Sequence, residues 1–260
     1  MRASLADQDD GQLSCLAAAV AQALQRPDTL AIALGANLPS PAGEPADTLL
    51  AVRPLLEQML QDWAQASLLF RWSPLLQTAP VGGPSGQRPY SNGVLLVELP
   101  PALAVKAAPS PSAVALDATG CDATGWDATE CGATGPQGLD SAAPTSAALA
   151  RGALTSAAVE LLQCLQQLEA QFGRPPQPER QHWGPRSLDL DLLWWGQLEL
   201  DLPATAATPA LQLPHPLWRQ RSFVLEPLAT LIAAGCADGL AVSQLSQSPR
   251  NAPDGSIGTA

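Results

Sequence analysis

Trp183-Gly-Pro-Arg-Ser-Leu-Asp-Leu-Asp-Leu-Leu-Trp-Trp195 decides how this chain is read. From Leu188 onward, apolar and acidic residues alternate with a period of two, the pattern of a β-strand. At ~3.3 Å rise per residue, Asp189 and Asp191 leave the same face with Cα atoms about 6.6 Å apart. Leu188, Leu190 and Leu192 go to the opposite face, so burial pins the register. Carboxylates held this close repel, and one of them resists ionisation unless a cation lies between them. Mg²⁺ takes a few carboxylates together with substrate phosphates, so the pair predicts a metal–nucleotide site. A half-buried edge strand whose two aspartates face water would show the same D-x-D pattern.

The charge around this strand differs from that of the chain. The formal net charge is −11 over 260 residues, which disfavours a general binder of nucleic acid or anionic membrane. Residues 174 to 221 are locally neutral, with Arg174, Arg180, Arg186, Arg219 and Arg221 set against Glu179, Asp189, Asp191, Glu199 and Asp201. Lys106 is the only lysine. A phosphate site must therefore be built from arginine, backbone amides and metal, and arginine suits bidentate phosphate contacts. The cysteines at 15, 121, 131, 164 and 236 form no C-x-x-C pair, as expected of a reduced cytosolic protein. No apolar run is long enough to span a membrane, and the acidic start (Asp7, Asp9, Asp10) does not read as a signal peptide.

Outward from the strand, the segments fall into order. Residues 1–28 read as an N-terminal extension with high helix propensity, stopped by Pro27. The main domain is expected over 29–245. It opens with a short apolar strand, Thr29 to Asn37, running into a Gly/Asn turn. A helix follows from Asp47, with Pro54 marking a kink or a late start. Ala66 to Thr78 reads as a strand region, 80–86 as a Gly/Pro loop, and Tyr90 to Leu99 as the returning strand. Residues 101–152 form a low-complexity insertion in which Asp-Ala-Thr-Gly units recur every five residues, and disorder is expected there. Helix resumes by Thr155 and closes at Gly173. A last short helix is expected around 226–234, and 246–260 reads as a tail.

Five blocks, in this order, resemble the 6-hydroxymethyl-7,8-dihydropterin pyrophosphokinase family. They are Ala33-Leu-Gly-Ala-Asn37, Thr78-Ala-Pro-Val-Gly82, Tyr90-Ser-Asn92, Glu169 to Arg174 joined to Trp183 through Asp191, and Pro214-His-Pro216 with Arg221-Ser-Phe-Val-Leu225. The resemblance implies an α/β (α+β) ferredoxin-like sandwich, with a mainly antiparallel sheet flanked by helices. It implies transfer of the diphosphate of ATP to the pterin hydroxymethyl group, with release of AMP, in folate biosynthesis. By the same resemblance Asp189 and Asp191 hold two Mg²⁺ ions. Arg174 and Arg186 are catalytic, neutralising phosphate charge. Glu169, His215 and Arg221 contact ATP. Thr78, Val81, Tyr90, Asn92 and Phe223 bind the pterin, with Tyr90 and Phe223 sandwiching the ring.

The pattern departs from the family at its usual G-R-x-R, where Gly173-Arg-Pro-Pro176 has Pro176 in place of the second arginine. Arg180 stands further along, and His182 precedes Trp183. The expectation is a cytoplasmic, monomeric enzyme with small-molecule substrates, no nucleic acid or membrane partner, and no second folate-pathway enzyme fused to it. A non-catalytic pterin- or nucleotide-binding relative is the alternative. A nucleotide-sugar transferase using its D-x-D motif is a further one, but it leaves Tyr90, Asn92 and Phe223 unexplained.

Overall fold

The computed structural model describes residues 5–106, 146–176, 179–180, 183–205 and 210–245. In chain order the elements are α1 (Leu5–Leu24), β1 (Thr29–Ala36), α2 (Pro45–Ala64), β2 (Leu69–Trp72), β3 (Leu76–Thr78), β4 (Tyr90–Glu98), α3 (Ser146–Gln171), β5 (Asp189–Trp195), β6 (Leu200–Leu202), β7 (Leu211–Leu213) and α4 (Ser222–Leu245). The main sheet runs β2-β4-β1-β5, with β3 also paired to β4, and every pairing is antiparallel. Two β-α-β crossovers, through α2 and α3, each skip one strand. This is the split β-α-β arrangement of the ferredoxin-like α+β sandwich.

Strand alternation divides the core in two. Leu30, Ile32 and Leu34 of β1, Leu95 and Val97 of β4, and Leu190 and Leu192 of β5 pack under α2 and α3. Ala31, Ala33, Val94, Leu96, Leu193 and Trp194 face the other way, toward α1 and α4. Leu193 and Trp194 share that face because the β1–β5 register shifts between Ala31 and Ile32, a bulge that interrupts the alternation. Trp194 and Trp195 are thereby sent to opposite cores. Trp194 packs on Trp218 with ring centroids 5.2 Å apart, and Trp195 meets Trp63 edge-on at 5.1 Å. Both indole N–H groups are satisfied, by Thr29 Oγ1 at 3.2 Å and the Leu103 carbonyl at 2.8 Å.

Several boundaries differ from those expected. α2 begins at Pro45 and runs unbroken through Pro54. Pro54 and Leu50, whose carbonyl has no Pro54 N–H to accept from, are both exposed. α3 begins at Ser146, and Val105 at the other end of the insertion is buried in the core. The repeats themselves, like the tail 246–260, lie outside the described residues. α4 starts at Ser222, with the Leu225 N–H donating to the Arg221 carbonyl at 3.0 Å, and continues to Leu245.

Within the segment read as an N-terminal extension, α1 packs onto the fold. Ala17, Val20 and Leu24 are buried with Trp194, Trp218 and Leu228, while Ala18 and Ala19 are exposed. Val20→Asp, placing a charge at a fully buried position, is expected to cost roughly 3 kcal/mol or more. Ala19→Asp on the outer face should stay within about 0.5 kcal/mol. Urea unfolding followed by tryptophan fluorescence compares the two.

Candidate active site

The site occupies the end of the sheet face left uncovered by α1 and α4. Asp189 and Asp191 stand opposite Gly35 and Ala33 of β1, so no β1 side chain larger than a methyl projects between them. On the far side of β1, Asn92 pairs with Gly35. A Cβ at Gly35 would meet Asn92 Oδ1 at 3.0 Å, so glycine here makes room for the amide. These residues open into a cavity of about 360 Å³ whose lining includes Thr78, Val81, Tyr90, Asn92, Arg186, Asp189, Asp191, Arg221 and Phe223. Nine of the twelve expected site residues therefore meet in one cavity. Glu169, Arg174 and His215 do not line it.

Arginines organise the acidic end. Asp189 accepts from Arg174 Nη1 through one oxygen and from Arg186 Nη1 through the other. Burial alone would raise the Asp189 carboxyl, but the two guanidiniums outweigh it and hold its pKa below the ordinary value. Among the described residues Asp191 accepts from Arg221 Nη1 at 3.2 Å. Burial and the neighbouring Asp189 charge push it up to about 6. The two carboxylates are thus unequal: two guanidiniums favour the charged form of Asp189, and that charge disfavours ionisation of Asp191.

Glu169, on α3, was expected beside the adenosine; its side chain is 3% exposed and does not reach the cavity. It binds Arg174, takes the Leu190 N–H at 2.8 Å, and lies 3.3 Å from Arg180 Nη2. Burial raises its pKa to about 7, against the pull of Arg174. Its position is that of a support for Arg174 and Arg180 behind the wall. Arg180, four residues past Pro176, is thereby drawn into the arginine cluster; His182 lies outside the described residues.

Two aromatics of the cavity, Tyr90 and Phe223, sit against arginines. Arg186 Cζ is 6.0 Å from the Tyr90 ring centre, and Arg221 Cζ is 5.5 Å from that of Phe223. Asn92 donates to Thr78 Oγ1 at 2.7 Å, and its carbonyl oxygen lies on the side of Gly35. Residues not singled out beforehand complete the lining, among them Trp183, Gln87, Leu217 and Gln220. Gln87 and Gln220 carry no periodic or motif signal by which sequence alone would have found them. Asn37, read as a turn residue, ties the end of β1 to the arginine loop, accepting the Arg186 N–H at 2.8 Å.

The donors present fit Mg²⁺. Both carboxylates project from one strand face into the cavity, the mutual repulsion raising Asp191 calls for a cation, and the donors are hard oxygens. Among the described residues no third carboxylate, histidine or cysteine joins the pair.

Paired carboxylates, two arginines and aromatic rings thus share one cavity on a split β-α-β sandwich. Residues 136–233 match the family model for 7,8-dihydro-6-hydroxymethylpterin-pyrophosphokinase (HPPK). That stretch carries α3, β5 and the start of α4. It is 43% identical over 72 residues to the 2-amino-4-hydroxy-6-hydroxymethyldihydropteridine pyrophosphokinase of Synechocystis, covering 28% of this chain and 32% of that protein. Against the Pseudomonas aeruginosa protein of the same name it is 44% identical over 75 residues, 29% of this chain and 41% of the relative. The mitochondrial folate synthesis bifunctional protein of Arabidopsis thaliana is 36% identical over 75 residues, 29% of this chain and 12% of its own length. The chain thus spans about a third to two fifths of the curated bacterial relatives it matches.

His215 supplies a test of the site's electrostatics. Its Nδ1 accepts the Leu217 N–H at 3.2 Å, so the ring proton sits on Nε2. Burial, reinforced by Arg221, lowers its pKa to about 4. The unfolded ring titrates near 6.5, so the unfolded chain binds more protons between those values. This histidine's contribution to stability is therefore present above about 6.5 and lost as pH falls toward 4. The His215 ring resonances in NMR should stay flat from pH 8 to about 5.5 and move only below pH 5.

Proposed function

We propose that this chain transfers the diphosphate of ATP to 6-hydroxymethyl-7,8-dihydropterin, releasing AMP, in keeping with its similarity to proteins named hydroxymethyldihydropteridine pyrophosphokinases. The observation that carries the reading is the continuity of one cavity, with Tyr90, Asn92 and Phe223 at one end and Arg186, Asp189, Asp191 and Arg221 at the other. A flat heterocycle placed by stacking and one amide would present its side arm to the charged end.

In this reading Asp189 and Asp191 hold two Mg²⁺ ions, which when bound would withdraw charge from the triphosphate oxygens. Arg186 and Arg221, already in the cavity, exchange carboxylate for phosphate oxygens and favour the charge that grows during transfer. Arg174, buried against Glu169 and Asp189, fixes the Asp189 carboxylate, and it gains a phosphate partner only if that pairing opens. Asn92 offers its carbonyl oxygen to ring N–H groups. The hydroxymethyl oxygen bonds to the β-phosphorus, the bond from that phosphorus to the oxygen retained by AMP breaks, and the hydroxyl proton is released. No described helix is long and apolar enough to cross a membrane; the cytoplasmic location and monomeric state belong to the same proposal.

AMP release from ATP, with Mg²⁺ and the dihydropterin alcohol, tests the reading. Wild type should form AMP only when the alcohol is present. Asp189→Ala should lose at least ~10³ in rate, and Arg186→Ala roughly 10²–10³ in kcat. Binding of both ligands by wild type without AMP formation would favour a non-catalytic relative, and equal rates for Asp189→Ala would remove the metal assignment.

Asn92 provides a separate check on the pterin end. Asn92→Ala should raise KM for the alcohol roughly tenfold, the value of about one buried hydrogen bond, while leaving KM for ATP near wild type. Steady-state kinetics with each substrate varied in turn measures both.

A further inference from the structure

We propose that Gln87 is a positioning residue that locks the glycine-rich loop and the tryptophan-bearing loop together around the aromatic end of the cavity. The proposal rests on the pterin reading for its ligand but on hydrogen-bond geometry for its mechanism. Gln87 lies in the loop between β3 and β4 and lines the cavity. Its Nε2 donates to the Gly82 carbonyl at 3.3 Å and to the Trp183 carbonyl at 3.1 Å. Its Oε1 accepts from the Tyr90 hydroxyl at 3.1 Å and from Asn37 Nδ2 at 3.4 Å. One carboxamide therefore joins its own loop, the segment 183–186, the end of β1 and the Tyr90 ring.

The polarity of this network is fixed. The Arg186 N–H donates to Asn37 Oδ1 at 2.8 Å, so the Asn37 amide nitrogen must face Gln87. That leaves Oε1 of Gln87 as the acceptor there and aims Nε2 at the two carbonyls. Turning the Gln87 amide over would oppose donor to donor and oxygen to oxygen. Only a side chain carrying both a donor and an acceptor at this reach serves all four partners.

The two loops are shaped to meet there. Gly82 and Gly83 both have φ of +74°, a backbone region that L side chains rarely adopt. A Cβ on Gly82 would come within 2.8 Å of the Trp183 ring, and one on Gly83 within 2.2 Å of the Trp183 carbonyl oxygen. Trp183 itself has φ of +52°. The backbones thus approach as closely as glycine permits, and Gln87 holds the contact from the cavity side. The Tyr90 hydroxyl, whose one proton is shared between Gln87 Oε1 and the Gly184 carbonyl at 3.2 Å, links the ring to both loops.

The discriminating substitution is Gln87→Glu, which keeps the size and the acceptor but sets carboxylate oxygen against two carbonyls. Gln87→Ala removes both halves. Binding of the dihydropterin alcohol and of a non-hydrolysable ATP analogue is measured by calorimetry, with amide hydrogen exchange followed over 81–88 and 183–186. Both variants should keep the wild-type unfolding midpoint. Both should bind the pterin roughly tenfold more weakly, with Gln87→Glu no better than Gln87→Ala and ATP-analogue affinity unchanged. Exchange in both loops should quicken together. If wild type binds the pterin and Gln87→Glu binds it equally well, the proposal is overturned. If wild type binds no pterin, the substrate reading fails by itself. The lock is then decided by exchange alone, standing if both loops loosen and falling if neither does.

Discussion

Asp189 is held by two guanidiniums that come from different parts of the chain, Arg174 just after α3 and Arg186 just before β5. A half-buried carboxylate at the floor of a cavity stays ionised most readily where cations are supplied on the spot. The rest of the charged end follows from that. Glu169 must be buried behind Arg174 to hold it, and the Leu190 amide must face Glu169 to relieve the second carboxylate. Asp191, paired with Arg221, absorbs the repulsion. The helix, the strand and the loop between them are thus tied by one set of charges.

Apolar packing delivers that set to its place. Leu188, Leu190 and Leu192 enter the core under α2 and α3, which sends Asp189 and Asp191 to the other face. The bulge beside Ile32 comes only after both aspartates are placed. It then turns Leu193 and Trp194 together into the second core. Beyond that point α1 and α4 cover the face; before it, the face is left open to ligand.

The alternation in 188–195 made β5 and its two faces legible, because a period of two has one consistent burial. The apolar run from Thr29 made β1 legible for the same reason. The nine expected residues that share the cavity were legible only as an ordered set, since Tyr90 or Phe223 taken singly reads equally well as packing. What stayed hidden depends on contacts between segments far apart in sequence. Nothing local distinguishes a surface glutamate at 169 from one buried under two arginines. The packing of α1 depends on Trp218, about two hundred residues away. Pro54 pointed to a break that did not occur, because Leu50, whose carbonyl has no Pro54 N–H to accept from, is exposed. Gln87 was invisible, since a polar residue in a Gly/Pro loop carries no signal of what it bonds.

The small residues on one side of β1 have a consequence of their own. Ala31, Ala33 and Gly35 share that side, and the last two line the cavity. A floor made of methyl groups and bare backbone has no rotamers to freeze when a ligand settles on it. Side-chain ordering is commonly a cost of binding, and here it falls only on the walls. The walls in turn are aromatic rings with two torsions each and arginines already engaged by carboxylates. Much of the entropy that binding would otherwise lose is therefore surrendered earlier, when the chain folds.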